Sequence, residues 1–103
     1  MAEGGSDRVP SEYVVLDIGK GVGALLIYTK PELLGTEIEV SRVGDDVIRI
    51  HADVLERRGG GQPVFAAVLA ALPEGDYRIW TEDLRLRNAV TIRSGEVAEV
   101  DWR

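Results

Sequence analysis

The sequence contains no cysteine, one histidine, one phenylalanine and one methionine. Without cysteine, the chain can form neither a disulfide framework nor a thiolate metal site. A single histidine cannot build a histidine-rich zinc site, so any metal would have to be held mainly by carboxylates. We therefore expect the chain to use no metal and no cofactor.

Long hydrophobic runs are also lacking. The first ten residues are polar and rich in glycine, without the apolar core of a signal peptide. No later run approaches the roughly 20 apolar residues that a membrane span requires. These features predict a cytoplasmic protein with no membrane segment.

Positive charge is scarce, since 12 basic residues face 18 acidic ones and the net charge is -6. An excess of negative charge repels nucleic acid unless the arginines gather on one face. The arginines are spread from Arg8 to Arg103, and the doublet Arg57 and Arg58 adjoins three glycines at positions 59–61. We expect no nucleic-acid partner. Arginine supplies ten of the 12 basic residues, which favours a GC-rich bacterial source.

The length and the pattern of apolar residues predict one domain. Residues 1–11 show no apolar periodicity and are expected to form a disordered tail. The domain then spans residues 12–103, enough for a single hydrophobic core. Within it, no segment has the period of an amphipathic helix.

Short apolar segments separated by turn signals indicate strands instead. We predict strands at residues 13–18, 24–29, 36–42, 47–55, 89–93 and 96–102, with two more inside residues 64–81. The connection at 31–35 forms at most one helical turn, and Ser94 and Gly95 form the turn of a last hairpin. This pattern predicts an all-β fold, a seven- to eight-stranded antiparallel Greek-key sandwich.

Alternation of apolar and polar residues assigns the faces of the hairpin at 36–55. Ile38 and Val40 are expected to point inward. The side chains expected to face water on the first strand are Glu37, Glu39 and Ser41. The second strand is expected to place Ile48, Ile50, Ala52 and Val54 on one face and Arg49, His51 and Asp53 on the other.

The segment 64–81 contains the spacing Leu72-x-x-Gly75-x-Tyr77. This spacing is typical of a tyrosine corner, in which glycine allows a sharp turn, the ring packs inward and the hydroxyl binds a nearby backbone group. A Gly-x-Gly-x-x-Ala match at residues 19–24 is interpreted as a plain glycine turn. A dinucleotide fingerprint needs a helix after it, and a strand is predicted there.

The motifs LPEGDYRIW and VTIRSGEVAEVDW, within residues 65–102, resemble the C-terminal half of prealbumin-like domains. These include the carboxypeptidase regulatory-like domains and the bacterial adhesin B-type repeats. The resemblance implies a prealbumin-like sandwich. It also implies a structural, adhesive or interaction module rather than an enzyme.

The sequence does not indicate a catalytic triad, because none of the serines sits in a nucleophile elbow. The one polar cluster to consider is Arg49, His51 and Asp53, which share a strand face. They leave open a small hydrolase or a ligand-binding protein as an alternative function.

An apolar set on the predicted outer face suggests self-association. If Phe65, Ala67 and Leu69 fill the core, then Val64, Ala66 and Val68 face outward. Trp80 is expected to join these three, forming the contact surface of a homodimer. The alternative is that residues 31–35 or 82–88 fold over this face within one chain.

Overall fold

The computed structural model describes residues 18–58, 61–80 and 86–103, with backbone only for 86–88. The predicted tail, the predicted first strand apart from Ile18, and the connection at 81–85 lie outside these residues.

Within the described residues, eight strands form two sheets of four. The bounds are β1 Val22–Thr29, β2 Glu37–Arg42, β3 Asp45–Asp53, β4 Leu55–Arg57, β5 Val64–Pro73, β6 Gly75–Trp80, β7 Leu86–Ile92 and β8 Val97–Asp101. The first sheet has the order β4-β5-β1-β8 and the second β3-β2-β6-β7. A single 3₁₀ turn, Pro31–Leu33, is the helical element of the described residues. The prediction of an all-β fold is confirmed.

The C-terminal strands depart from the predicted hairpin. β7 pairs with β6 in the second sheet, whereas β8 crosses to the first sheet and runs parallel to β1. Ser94 and Gly95 do form a turn, with Gly95 at φ 74°. The turn is held against β1, since the Gly95 amide donates to the Val22 carbonyl at 2.9 Å. The last two strands are therefore not hydrogen-bonded neighbours, and one pair of the sandwich is parallel.

Two apolar clusters stabilise the fold, one on each side of the first sheet. The buried cluster between the sheets includes Leu25, Ile27, Ile38, Val40, Val54, Ala67, Leu69, Leu72, Tyr77, Ile79 and Ile92. The second buried cluster contains Ala24, Leu26, Tyr28, Val64 and Ala66. β1 supplies both clusters, as its apolar composition on both faces predicts.

The segment between β5 and β6 turns sharply at Gly75, whose φ is 146°. The Tyr77 ring is buried, and its hydroxyl donates a 2.6 Å hydrogen bond to the Pro73 carbonyl. A Cβ at Gly75 would lie 2.6 Å from Nη2 of Arg42. The positive φ favours glycine here, whereas the Arg42 guanidinium, at the end of a flexible side chain, can move away from a Cβ.

The hairpin of β2 and β3 forms as predicted, with Ile38 opposite Ala52 and Val40 opposite Ile50. The next paired residues are Arg42 and Asp45, so the chain advances two residues along β2 but five residues along β3. The extra residues of β3 form a bulge at 46–49. Such a bulge redirects side chains.

Three side chains of this hairpin differ from their predicted environments. Ser41 was expected to face water, but it is 1% exposed. Its burial follows from hydrogen bonds to Trp80 and Asp46. Ile48 and Ile50 were expected on the apolar face of the hairpin, yet they are 66% and 37% exposed. They lie on an edge strand, where the facing sheet covers less of the inner side.

Candidate functional site

Exposed apolar side chains are concentrated on one side of the sandwich. Among the described residues, the large hydrophobic side chains that are exposed all belong to the segment 34–55. We call five of them the apolar edge: Val43, Val47, Ile48, Ile50 and Leu55. Val47 is the most open, with 89% of its surface exposed.

Both sheets end at the apolar edge. Within the described part of the chain, β3 is the outermost strand of the second sheet and pairs only with β2, while β4 is outermost in the first sheet and pairs only with β5. Outermost strands carry backbone N–H and C=O groups that a further strand can bind. The strands at the opposite ends of the sheets, β7 and β8, show no large exposed hydrophobic side chain within their described residues.

A groove with a volume of about 170 Å³ opens beside β3. The groove is lined by Ser41, Arg42, Asp45, Ile48, Ile50, Pro73 and Tyr77. Sequence reasoning missed this feature. The adjacent pair Val47 and Ile48 was the available signal, because a strand with one solvent face does not place two large apolar residues in succession.

The candidate cluster of Arg49, His51 and Asp53 shares the outer face of β3, but each residue has different surroundings. Arg49 Nη1 lies 2.9 Å from Glu39 Oε1. His51 Nδ1 lies 2.9 Å from Glu37 Oε2, and its side chain is 60% exposed. Asp53 stands opposite Glu37 across the strand pair. Within the described part of the chain, no hydrogen bond or ion pair joins these three side chains to one another. They line neither the groove beside β3 nor a second groove next to Lys30 and Pro63.

A polar network surrounds Trp80 on the outer face of the second sheet. The Trp80 indole donates to the Ser41 hydroxyl at 3.0 Å, and this hydroxyl donates to Asp46 at 2.9 Å. Arg78 pairs with the second oxygen of Asp46 at 3.2 Å. The Arg49 guanidinium stacks over the indole, 4.3 Å from its centroid. These groups satisfy one another, so the network stabilises the sheet.

The predicted self-association surface is divided between the two sheets. Val64, Ala66 and Val68 lie on β5 in the first sheet, whereas Trp80 lies on β6 in the second. The premise that they share one exposed face is wrong. Val64 and Ala66 are buried in the second cluster, and Val68 is half-buried against it.

Two other titratable groups are perturbed by burial. Burial lowers the pKa of the Arg57 guanidinium, whose Nε donates to the Ala66 carbonyl at 3.2 Å. Burial also raises the pKa of the Tyr77 hydroxyl, and the charge of Arg42 opposes this increase. Arg58 pairs with Glu56 at 2.7 Å. Both members of the arginine doublet therefore make contacts within the chain.

The described residues contain no group of three or more histidine, cysteine or carboxylate side chains that could hold a metal ion. The same part of the chain has no helix that is long and apolar enough to cross a membrane. In the segment with the Gly-x-Gly-x-x-Ala match, β1 begins at Val22. The predicted strand therefore stands where a dinucleotide fingerprint would need a helix.

No protein-family model and no curated protein matches this sequence. Among solved structures, a leucine-rich repeat protein from Bacteroides thetaiotaomicron VPI-5482 is similar, with a TM-score of 0.50 and 13% sequence identity. The likeness covers 81% of this chain but only 12% of that protein. At this level of identity the similarity concerns the fold alone.

Proposed function

We propose that the chain is a non-enzymatic module that binds another protein chain through the apolar edge. The observation that carries this proposal is the concentration of exposed Val47, Ile48 and Leu55 on one side of the sandwich, where both sheets end. Exposed apolar patches that are rimmed by polar residues are typical of interaction sites, and Ile48 and Ile50 line one groove at this edge. The polar side chains on the adjoining sheet face are paired with one another, which disfavours catalysis there.

We also propose a more specific fold for this all-β domain. The orders β4-β5-β1 and β3-β2-β6-β7 are those of strands D-E-B and C′-C-F-G in immunoglobulin-like Greek-key sandwiches. Tyr77 near the start of β6 then occupies the position of a tyrosine corner. The parallel strand β8 takes the place beside β1 that a first strand holds in such domains. The prealbumin-like resemblance of residues 65–102 is a second proposal about ancestry, supported by the motifs alone.

The experiment that tests the proposal uses two matched variants. Ile48→Lys adds a charge to the apolar edge, and Ala89→Lys adds the same charge to an exposed position on β7, the opposite edge strand of the same sheet. A phage-displayed library of random linear peptides is panned against the wild-type protein. Enriched peptides are then synthesised and titrated against all three proteins by fluorescence anisotropy.

We expect the Ile48→Lys protein to bind the enriched peptides about tenfold more weakly or worse, as for the loss of an interface anchor. Binding to the Ala89→Lys protein should stay within a factor of about two of wild type, since surface changes remote from an interface have small effects. Peptides that bind both variants alike, or a library that yields no binder, would refute the proposal. Circular dichroism confirms that both variants are folded.

A further inference from the structure

The form of the apolar edge indicates what kind of segment it receives. The backbone of β3 is hydrogen-bonded to β2 on one side, and no strand among the described residues pairs with its other side. Its regular part, from Ile50 to Asp53, keeps an unbroken register with β2. An extended segment can add to such an edge as a further strand, with backbone hydrogen bonds that supply affinity and side-chain pockets that supply specificity.

The groove beside β3 supplies a pocket for one side chain of that segment. Its volume of about 170 Å³ compares with the roughly 150 Å³ of an engineered apolar cavity that accepts benzene. Its lining is mainly apolar and includes Ile48 and Pro73. An aliphatic or aromatic side chain therefore fits the chemistry of the groove.

The charges around the apolar edge indicate which residues should flank the apolar centre of the bound segment. Asp45 begins β3 and Asp53 ends it, and neither makes an ion pair within the described part of the chain. The nearby arginines have other partners. Arg49 and Arg58 are paired with Glu39 and Glu56, and Arg42, which lies opposite Asp45, donates to the Glu74 carbonyl. Both ends of β3 thus offer carboxylates, which attract basic residues at the two ends of a bound strand.

A second copy of this chain brings no basic side chain to Asp53. β3 keeps a regular register only from Ile50 to Asp53, since it bulges at 46–49. Antiparallel self-pairing of this part sets each Asp53 opposite Ile50 of the other copy, so the carboxylate gains no basic partner. An anionic lipid surface is disfavoured, since carboxylates flank the exposed apolar residues.

We propose that the apolar edge binds an extended segment of a different protein, apolar in its centre and basic at both ends, which adds to β3 as a further strand. This inference rests on the proposed function and specifies its partner. The segment places one apolar side chain in the groove that Ile48 and Pro73 line. Its lysine or arginine residues lie against Asp45 and Asp53.

The test uses one apolar peptide core, taken from the library selection, in two synthetic forms. One form carries two lysines at each end and the other two glutamates at each end. Each is titrated against wild type and against the double variant Asp45→Lys/Asp53→Lys, at low and at physiological salt. Sedimentation velocity of the wild-type protein alone, at tens of micromolar, measures self-association.

We expect the lysine form to bind wild type about tenfold or more tightly than the glutamate form, with the difference reduced by salt. The double variant should reverse the preference. Equal binding of both forms, with loss of both in the Ile48→Lys protein, would overturn the basic-segment inference and leave the proposed function intact. A wild-type dimer that Ile48→Lys dissociates would assign the edge to a second copy and overturn the inference in the same way.

Discussion

The indole nitrogen of Trp80 lies 3.0 Å from the hydroxyl oxygen of Ser41, which is buried on the neighbouring strand. Because this hydroxyl also donates to Asp46, one serine connects β6 with both strands of the β2–β3 hairpin. The contact holds together the three strands β2, β3 and β6 of the second sheet, in which β3 carries part of the apolar edge. It therefore links the stability of the domain with the geometry of the candidate binding surface.

Ser41→Ala tests this link. The substitution leaves the Trp80 N–H and Asp46 without their shared partner, so we expect a loss of about 1 to 3 kcal/mol in the free energy of unfolding, measured by urea denaturation. Thr91→Ala serves as the control. It removes an exposed 2.7 Å hydrogen bond to Asp76 and should cost less than about 0.5 kcal/mol. Equal effects of the two substitutions would show that the buried serine contributes no more than a surface hydroxyl.

Tyr77 should stabilise the turn between β5 and β6 in two separable ways. Tyr77→Phe keeps the ring and removes the hydrogen bond to Pro73, so we expect a cost of about 1 kcal/mol. Tyr77→Ala also removes the buried ring and should cost about 3 to 5 kcal/mol. Thermal and urea unfolding measure both losses. A Tyr77→Ala protein that melts within about two degrees of wild type would contradict the assignment of this turn.

The raised pKa of Tyr77 gives the domain an alkaline dependence of stability. Its contribution is fully present below the ordinary tyrosine pKa of about 10, where the hydroxyl is protonated in both states. As the pH rises through and above that value, the unfolded chain loses this proton more readily than the fold, and stability falls. Urea unfolding at a series of alkaline pH values should show a smaller decrease for Tyr77→Phe than for wild type. An identical decrease would remove Tyr77 as a source of the pH dependence.

The start of β1 depends on a glycine for space. A Cβ on Gly23 would clash with the carbonyl oxygen of Arg93 and lie 2.8 Å from that of Glu96, so backbone would have to move. We expect Gly23→Ala to lower the melting temperature by several degrees, as for an overpacked core position. Gly19→Ala provides the matched control, because nothing lies within 4 Å of its Cβ position. If Gly23→Ala unfolds at the same temperature as this control, the packing of the β7–β8 connection against β1 is wrong.

His51 is expected to matter little for stability. Its contact with Glu37 is formed by two exposed side chains, and such pairs contribute about 0 to 1 kcal/mol. His51→Gln should therefore leave the free energy of unfolding within about 0.5 kcal/mol of wild type. A larger loss would indicate that the histidine belongs to a more constrained site. That result would restore the alternative function based on Arg49, His51 and Asp53.

Much of the fold could be predicted from sequence because local patterns determine it. The alternation of Ile38 and Val40 with polar residues locates β2 and its inner face. The spacing from Leu72 to Tyr77 indicates the turn between β5 and β6, since glycine and tyrosine each meet a specific geometric need there.

The features that sequence patterns missed depend on long-range arrangement. Alternation shows that Val64 and Ala66 share a face, but it does not show whether that face is covered. It also cannot reveal that Trp80 belongs to the other sheet, because the sequence of a single strand does not determine the order of strands in the sheets. The exposure of Ile48 follows from the position of β3 at a sheet edge and from the bulge at 46–49. Both are properties of the assembled sandwich.

The most direct test of the binding surface is amide hydrogen exchange of the protein, free and saturated with an enriched library peptide. In the free protein, the amides of β3 that point away from β2 should exchange rapidly, since no strand of the described residues pairs with them. If the peptide adds to this edge, exchange within Asp45–Asp53 should slow, while β7 and β8 should be unchanged. Protection that is confined to other strands, with β3 exchanging as before, would contradict the account.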